Sequence, residues 1–216
     1  MKKLHVFIIF LLLMLSFGCV KSEKVSAQEN TTPNQMPTQL SPQDQKKYNN
    51  LGWELCNAVG DENLEGALMA IKAGADINFI CASEDLSYFP LLIATHHRNI
   101  KMVKLLLDNG AKVDFTTGDG YTSLMDASFS GNLEIAKALI EHGADINATT
   151  DIIHSTALIL AVEGNQVEMV KYLIKNGANV NIKKNNGKTA LKYAEENKNA
   201  AIIKVLKAAG AGELHL

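Results

Sequence analysis

The feature that most constrains this chain is a spacing. Gly74, Gly110, Gly143, Gly177 and Gly210 lie 36, 33, 34 and 33 residues apart. Sixteen residues before each stands an alanine: Ala58, Ala94, Ala127, Ala161 and Ala194. Three residues earlier again comes a leucine: Leu55, Leu91, Leu124, Leu158 and Leu191. The clearest copy runs from Gly120 to Asn147 and reads GYTSLMDASFSGNLEIAKALIEHGADIN. Its pattern predicts a short helix capped by Thr122, with Leu124, Met125 and Ala127 as apolar positions. Gly131 supplies a turn that needs positive φ. A second helix runs from Leu133 to about His142, with Leu133, Ile135, Ala136, Leu139 and Ile140 on one side. Gly143 ends it in a left-handed cap, and an extended finger follows. Two helices this short cannot bury their apolar faces alone, so the unit requires stacking on copies of itself.

A period near 33 residues with these glycine, alanine and leucine positions resembles the ankyrin repeat. The resemblance covers residues 41–216, as about five units near 41–81, 82–115, 116–148, 149–182 and 183–216. It implies an all-α solenoid of helix-turn-helix units with extended fingers. The family's Thr-Pro-Leu-His stretch is kept in part, as FPLL at 89–92, TSLM at 122–125, TALI at 156–159 and TALK at 189–192. The family histidine, which ties neighbouring repeats by hydrogen bonds, is replaced by Cys56, Leu92, Met125, Ile159 and Lys192. Apolar packing is expected to substitute for it at the inner units. The turn glycine survives only as Gly131, and Glu62, Arg98, Asn165 and Lys198 stand in its place elsewhere. Of these, only Asn tolerates a left-handed backbone comfortably.

Ahead of the repeats, Lys2 and Lys3 precede an apolar run from Leu4 to Phe17, the build of a secretory signal peptide over residues 1–18. The end of that run, Leu15-Ser16-Phe17-Gly18-Cys19, resembles a bacterial lipobox, which implies lipidation of Cys19. Ordinary cleavage after Ala27 is the competing reading. Residues 19–40 are polar and proline-interrupted, a flexible tether spanning about 70 Å stretched and about 25 Å as a coil. Ser41-Pro42-Gln43-Asp44 then signals a helix start, and that helix is expected to reach about Ala58 and shield one end of the stack. At the other end, Lys207 replaces the apolar residue found at Ile71, Leu107, Ile140 and Ile174, which keeps an unstacked face soluble.

Lys and Arg number 21 against 23 Asp and Glu; without Lys2 and Lys3 the basic count is 19, and 19 against 23 gives −4. Arg98 is the only arginine. Such a surface argues against nucleic acid, where a basic stripe supplies most of the affinity, and against acidic membrane surfaces. The membrane is therefore reached only through the lipid anchor. With Cys19 lipidated, Cys56 and Cys81 form an even pair in an oxidising compartment, either bonded or as two free thiols.

No phosphate loop, dinucleotide fingerprint, nucleophile elbow or His-Glu-x-x-His motif occurs. Acidic residues and histidines are scattered without the pairing that acid–base chemistry needs. Asp119, in Gly118-Asp119-Gly120, reads as part of a finger turn, since a calcium loop needs several more oxygen ligands. The family resemblance implies a concave groove lined by fingers and first helices. On it fall Tyr88, His96, His97, Tyr121, Phe129, Ile152, Ile153 and Glu163. The first finger, Phe79–Tyr88, is three residues longer than usual and the third, Ala148–Ser155, one longer, both on the binding face.

These readings converge on a monomeric, exported module of the cell envelope, anchored as a lipoprotein or released to the periplasm or medium. It binds another protein, requires no cofactor and catalyses nothing. Two alternatives stand beside it: an inhibitor or immunity-like factor that occludes an enzyme's active site, and a metal or haem binder acting through His96 and His97.

Overall fold

Short helices recur two to a repeat because each has its own start and stop written beside it. The computed structural model describes residues 42–83 and 86–212. Its helices pair as α1 (Pro42–Gly60) with α2 (Leu64–Lys72), α3 (Pro90–His96) with α4 (Ile100–Asp108), α5 (Ser123–Ser130) with α6 (Leu133–Glu141), α7 (Ala157–Glu163) with α8 (Val167–Lys175), and α9 (Ala190–Glu196) with α10 (Ala200–Ala208). Thr122, Thr156 and Thr189 start α5, α7 and α9, their hydroxyl oxygens accepting from the backbone N–H of Met125, Ile159 and Lys192. Pro90 opens α3 instead, with no side-chain cap. Asn63, Asn99, Asn132 and Asn199 cap α2, α4, α6 and α10 in the same way. A lost cap of this kind costs about 1 kcal/mol. The five repeat glycines that follow the second helices have φ between 81° and 95°.

The turn between paired helices is left-handed in every unit. Gly131 takes φ 72°, and Glu62, Arg98, Asn165 and Lys198 adopt 56°, 57°, 56° and 55°. The stack thus imposes on Glu, Arg and Lys a backbone that costs a residue with a Cβ roughly 1–2 kcal/mol.

One continuous core runs through the stack. Leu55, Leu91, Leu124 and Leu158 are buried, as are Ala94, Ala127, Ala161 and Ala194. Each buried leucine contributes about 1.5–3 kcal/mol through removal of its surface from water. Leu92, Met125, Ile159 and Cys56, in the place of the family histidine, are also buried. Packing does not tie the repeats alone, however. A ladder along the fingers does so as well: the backbone N–H of Lys112 donates to Asn78 Oδ1 (2.8 Å), Asp145 to Asp114 Oδ1 (3.0 Å), Asn179 to Asn147 Oδ1 (2.8 Å) and Gly212 to Asn181 Oδ1 (3.3 Å). The four acceptors stand four residues after successive repeat glycines, a regularity visible in the sequence but not expected to carry this role.

Small residues let α5 and α7 approach closely. A Cβ added at Gly164 would sit 2.3 Å from the carbonyl oxygen of Phe129. That carbonyl accepts from Gln166 Nε2 at 3.1 Å.

The long first finger carries a short local ribbon within the expected all-helical solenoid. It closes as an antiparallel ribbon of β1 (Cys81–Ser83) and β2 (Leu86–Tyr88), with Cys81 opposite Tyr88. A disulfide joins Cys81 to Cys56 of α1, with their Cα atoms 6.4 Å apart. Phe79 reinforces the join. Its ring lies where a Cβ on Gly52 would fall, with Tyr48 and Trp53 edge-on at 6.3 and 6.0 Å. Tyr48 also donates its hydroxyl hydrogen bond to Asp76.

α1 begins at Pro42 and ends at Gly60, two residues beyond the sequence expectation. Lys207 is exposed. The signal peptide, Cys19, the tether and the capping Ser41 lie outside the described residues. No helix among the described residues is long and apolar enough to cross a membrane.

Candidate functional site

The fingers and first helices share one face, and hydrogen bonds between fingers fix its relief. In the second finger Gly120 N donates to Thr117 O (2.9 Å), Thr117 N donates to Tyr121 O (3.2 Å), and Asp119 accepts from the Thr117 hydroxyl and from Tyr121 N. Asp119 is therefore a turn residue. The third finger is tied to it through Asp151 N, which donates to Asp119 O (2.9 Å). The fourth finger is tied to the third: Asn185 N donates to Ile153 O (3.2 Å) and Asn185 Nδ2 to Ile152 O (2.6 Å).

These bonds occupy the backbone of Ile152 and Ile153 and leave their side chains out. Ile152 is 71% exposed and Ile153 46%. The next residue, His154, holds φ 54° where the neighbouring fingers place Gly120 and Gly187 at 79° and 77°. A non-glycine there adds backbone strain to a tip already carrying two solvated isoleucines.

Below the fingers, the first helices present a polar and aromatic row. His96 Nδ1 lies 3.5 Å from Asp126 Oδ1, joining α3 to α5. The bond to Asp126 is the largest influence on His96 and holds its pKa above the ordinary imidazole value, against the opposing effect of burial. Tyr88 is half-buried, and burial, then Asp126, pushes its phenol up. Tyr121 is half-buried against the core, and its phenol is pushed well up by burial first, then by Asp126, Asp119 and Glu163. Glu163 on α7 is held by Lys184 Nζ at 2.8 Å, and the same ammonium lies 5.0 Å from the centre of the Tyr193 ring. Phe129 is half-buried and packs against the core.

The residues expected on the groove therefore divide by environment. Asp126 bears on Tyr88, Tyr121 and His96, and Glu163 on Tyr121. Ile152 and Ile153 form the third fingertip. Tyr121 and Phe129 each have part of their surface committed to packing. His97 is exposed, with its ring 6.3 Å from that of His96 and tilted by 55°. His96 Nδ1 faces Asp126, whereas His97 follows the helix as its C-cap, so the two imidazoles have different surroundings. Among the described residues no group of three or more His, Cys, Asp or Glu could hold a metal ion. The geometry gives the metal or haem reading no support.

Asp126, Lys184 and Tyr193 belong to this face although sequence reasoning did not single them out. A signal existed. Seventeen residues before the repeat glycine the units carry Asn57, Ile93, Asp126, Leu160 and Tyr193, so a carboxylate and a phenol stand at a position that is aliphatic in two other units.

A family model described as ankyrin repeats (3 copies) matches residues 55–150 and again 149–213. This chain belongs to the ankyrin-repeat family. Its repeats form a protein–protein interaction module, and the face just described is built from fingers and first helices. Comparison with curated proteins gives no match.

Proposed function

We propose that this ankyrin-repeat chain is a non-catalytic, exported binding protein that holds a partner protein against its concave finger face and is anchored through lipid on Cys19. The observation that carries the binding role is the third fingertip. Ile152 and Ile153 stand in solvent on a backbone hydrogen-bonded to both neighbouring fingers, beside a strained His154. Folding gains nothing from exposing two large aliphatic side chains on a rigid loop, whereas a partner that covers them gains their burial with little ordering cost. Export is supported by the lysine-led apolar run before Cys19 and by the Cys56–Cys81 disulfide, a bond that persists in oxidising compartments.

Two measurements test this reading. Wild-type protein should partition with membranes, and Cys19→Ser should release it or leave the precursor uncleaved; an unlipidated mature N-terminus at Gln28 would refute the anchor. Affinity capture from the cell envelope should recover a partner with wild-type protein, and Ile152→Asp/Ile153→Asp should lose it while unfolding at the same temperature. A double variant that captures the same partner undiminished would move the binding face elsewhere.

A further inference from the structure

Behind the first helices the second helices pack on one another as a layer of their own, and between α6 and α8 that layer opens a shallow groove of about 230 Å³. Leu133 and Tyr172, both half-buried, line it with apolar surface, and the exposed Lys137, Lys171, Lys175 and Glu168 rim it. Glu168 holds Lys171 at 2.7 Å, and Lys137 Nζ lies 5.9 Å from the centre of the Tyr172 ring. With Glu141 at the end of α6 counted in, three lysines meet two glutamates, and the rim stays cationic. The neighbouring α10 adds Lys204 and Lys207, both exposed, and no acid.

The third finger carries the converse. Ile152 and Ile153 stand in solvent, and the exposed Asp151 precedes them. Asp151 N donates to Asp119 O at 2.9 Å, which sets a second exposed aspartate on the adjoining fingertip. The second and third fingers carry Asp114, Asp119, Asp145 and Asp151, all exposed, against Lys112 alone. The fourth carries Lys183, Lys184 and Lys188 and no acid, so the acidic, apolar-tipped stretch is confined to two fingers. Fingertip and groove belong to one solenoid and share its period. Lys137 and Lys171 each stand six residues before a repeat glycine on successive helices, about 10 Å apart at ordinary helix spacing, and Asp119 and Asp151 stand on successive fingers. Two faces of the same stack therefore keep step with each other along their length.

We propose that the partner at the third fingertip is a second copy of this chain: Ile152 and Ile153 of one copy enter the groove between α6 and α8 of the next, with Asp119 and Asp151 set against its lysines. The inference rests on the binding reading above and names the partner. Burial of the two isoleucines supplies the attraction, and the charges set the register. Fingertip and groove lie on different layers of the stack, so the contact is heterologous. Each copy that gives its fingertip keeps its own groove open, and further copies add head to tail. Such association replaces the monomer expected from the sequence.

Sedimentation equilibrium tests it, on the mature chain carrying Cys19→Ser, which takes no lipid and so forms no micelle. The weight-average mass should rise above the monomer between about 5 and about 500 μM, with no plateau at the dimer. Raising salt from about 50 to about 300 mM should weaken the association about fivefold or more. Ile152→Lys/Ile153→Lys removes the apolar tip and repels the groove, and Lys137→Glu/Lys171→Glu reverses the rim; each alone should stay monomeric. Mixed in equal amounts they should form dimers and stop there, because one keeps its groove and the other its fingertip. Lys101→Glu, an exposed position on α4 outside the groove, is the control and should associate as the parent does. A parent chain that is monomeric throughout overturns the inference and leaves the finger face to a different protein, which the capture experiment above detects. A mass that levels at the dimer, association that survives in either double variant, or a mixture that stays monomeric overturns it as well.

Discussion

Gly164→Ala is the substitution whose sign reports most directly on the packing of this stack. Gly164 follows α7 with φ −79° and ψ 0°, a backbone that alanine adopts freely. On local grounds the change should stabilise the protein by roughly 0.4–1 kcal/mol, because alanine has fewer unfolded conformations to lose. Packing opposes this. The new Cβ would meet the Phe129 carbonyl oxygen at 2.3 Å, and the nearest obstacle is backbone, not the mobile end of a side chain. Ordinary contact requires about 1 Å more, so α7 must move away from α5, with the rigid interior resisting. Overpacking of this kind costs about 1–3 kcal/mol, which exceeds the local gain. The Gln166 hydrogen bond to the same carbonyl is put at risk as well. The expected outcome is a net loss of about 0.5–2 kcal/mol, read as a lower urea midpoint by circular dichroism. Gly60→Ala provides the contrast. Gly60 ends α1 and a Cβ there meets nothing within 4 Å, so that variant should be unchanged or more stable by up to about 1 kcal/mol. A Gly164→Ala protein as stable as Gly60→Ala would mean that α5 and α7 are not packed as closely as described.

Three further outcomes follow from the same structure. Lys198→Gly should raise stability by about 0.5–1 kcal/mol in urea denaturation, since Lys198 holds φ 55° and glycine removes the left-handed strain at a smaller entropic cost. Asn147→Ala should lower stability by about 0.5–1.5 kcal/mol, the net worth of an exposed hydrogen bond whose acceptor water replaces, because it breaks the ladder between adjoining fingers; hydrogen exchange at Asn179 should accelerate. His96 has a folded-state pKa above its unfolded value, so its pairing with Asp126 stabilises the fold fully below about pH 6.5 and is lost as pH rises through the folded pKa. Thermal scans from pH 6 to 8 should therefore show a decline that is absent in Asp126→Asn.

The repeat was determined by the sequence because it depends on local rules reiterated at fixed spacing. Capping threonines, the leucine and alanine pair and the closing glycine each act within one unit, and Leu124 and Ala127 share their buried environment with every counterpart except Leu191 and Ala58 in the end units. The substitutions at the turn were equally legible: Glu62, Arg98 and Lys198 are forced left-handed because the stack leaves the chain no other path. What crosses between units was not legible. The ladder through Asn78, Asp114, Asn147 and Asn181 joins residues 31 to 34 positions apart, and only stacking puts each acceptor beneath the next donor. The ribbon of the first finger is joined to α1 by a disulfide across 25 residues, and sequence cannot supply the geometry that allows that bond. The same holds for the binding face. Tyr121 and Phe129 read only as residues of the groove because their neighbours were unknown, and the fold half-buries both against the core. Asp126, unremarkable in its own helix, gains its partner only when the stack brings His96 of α3 within 3.5 Å of it. Charge and exposure at a point in space are sums over several repeats, and tertiary structure alone performs that sum.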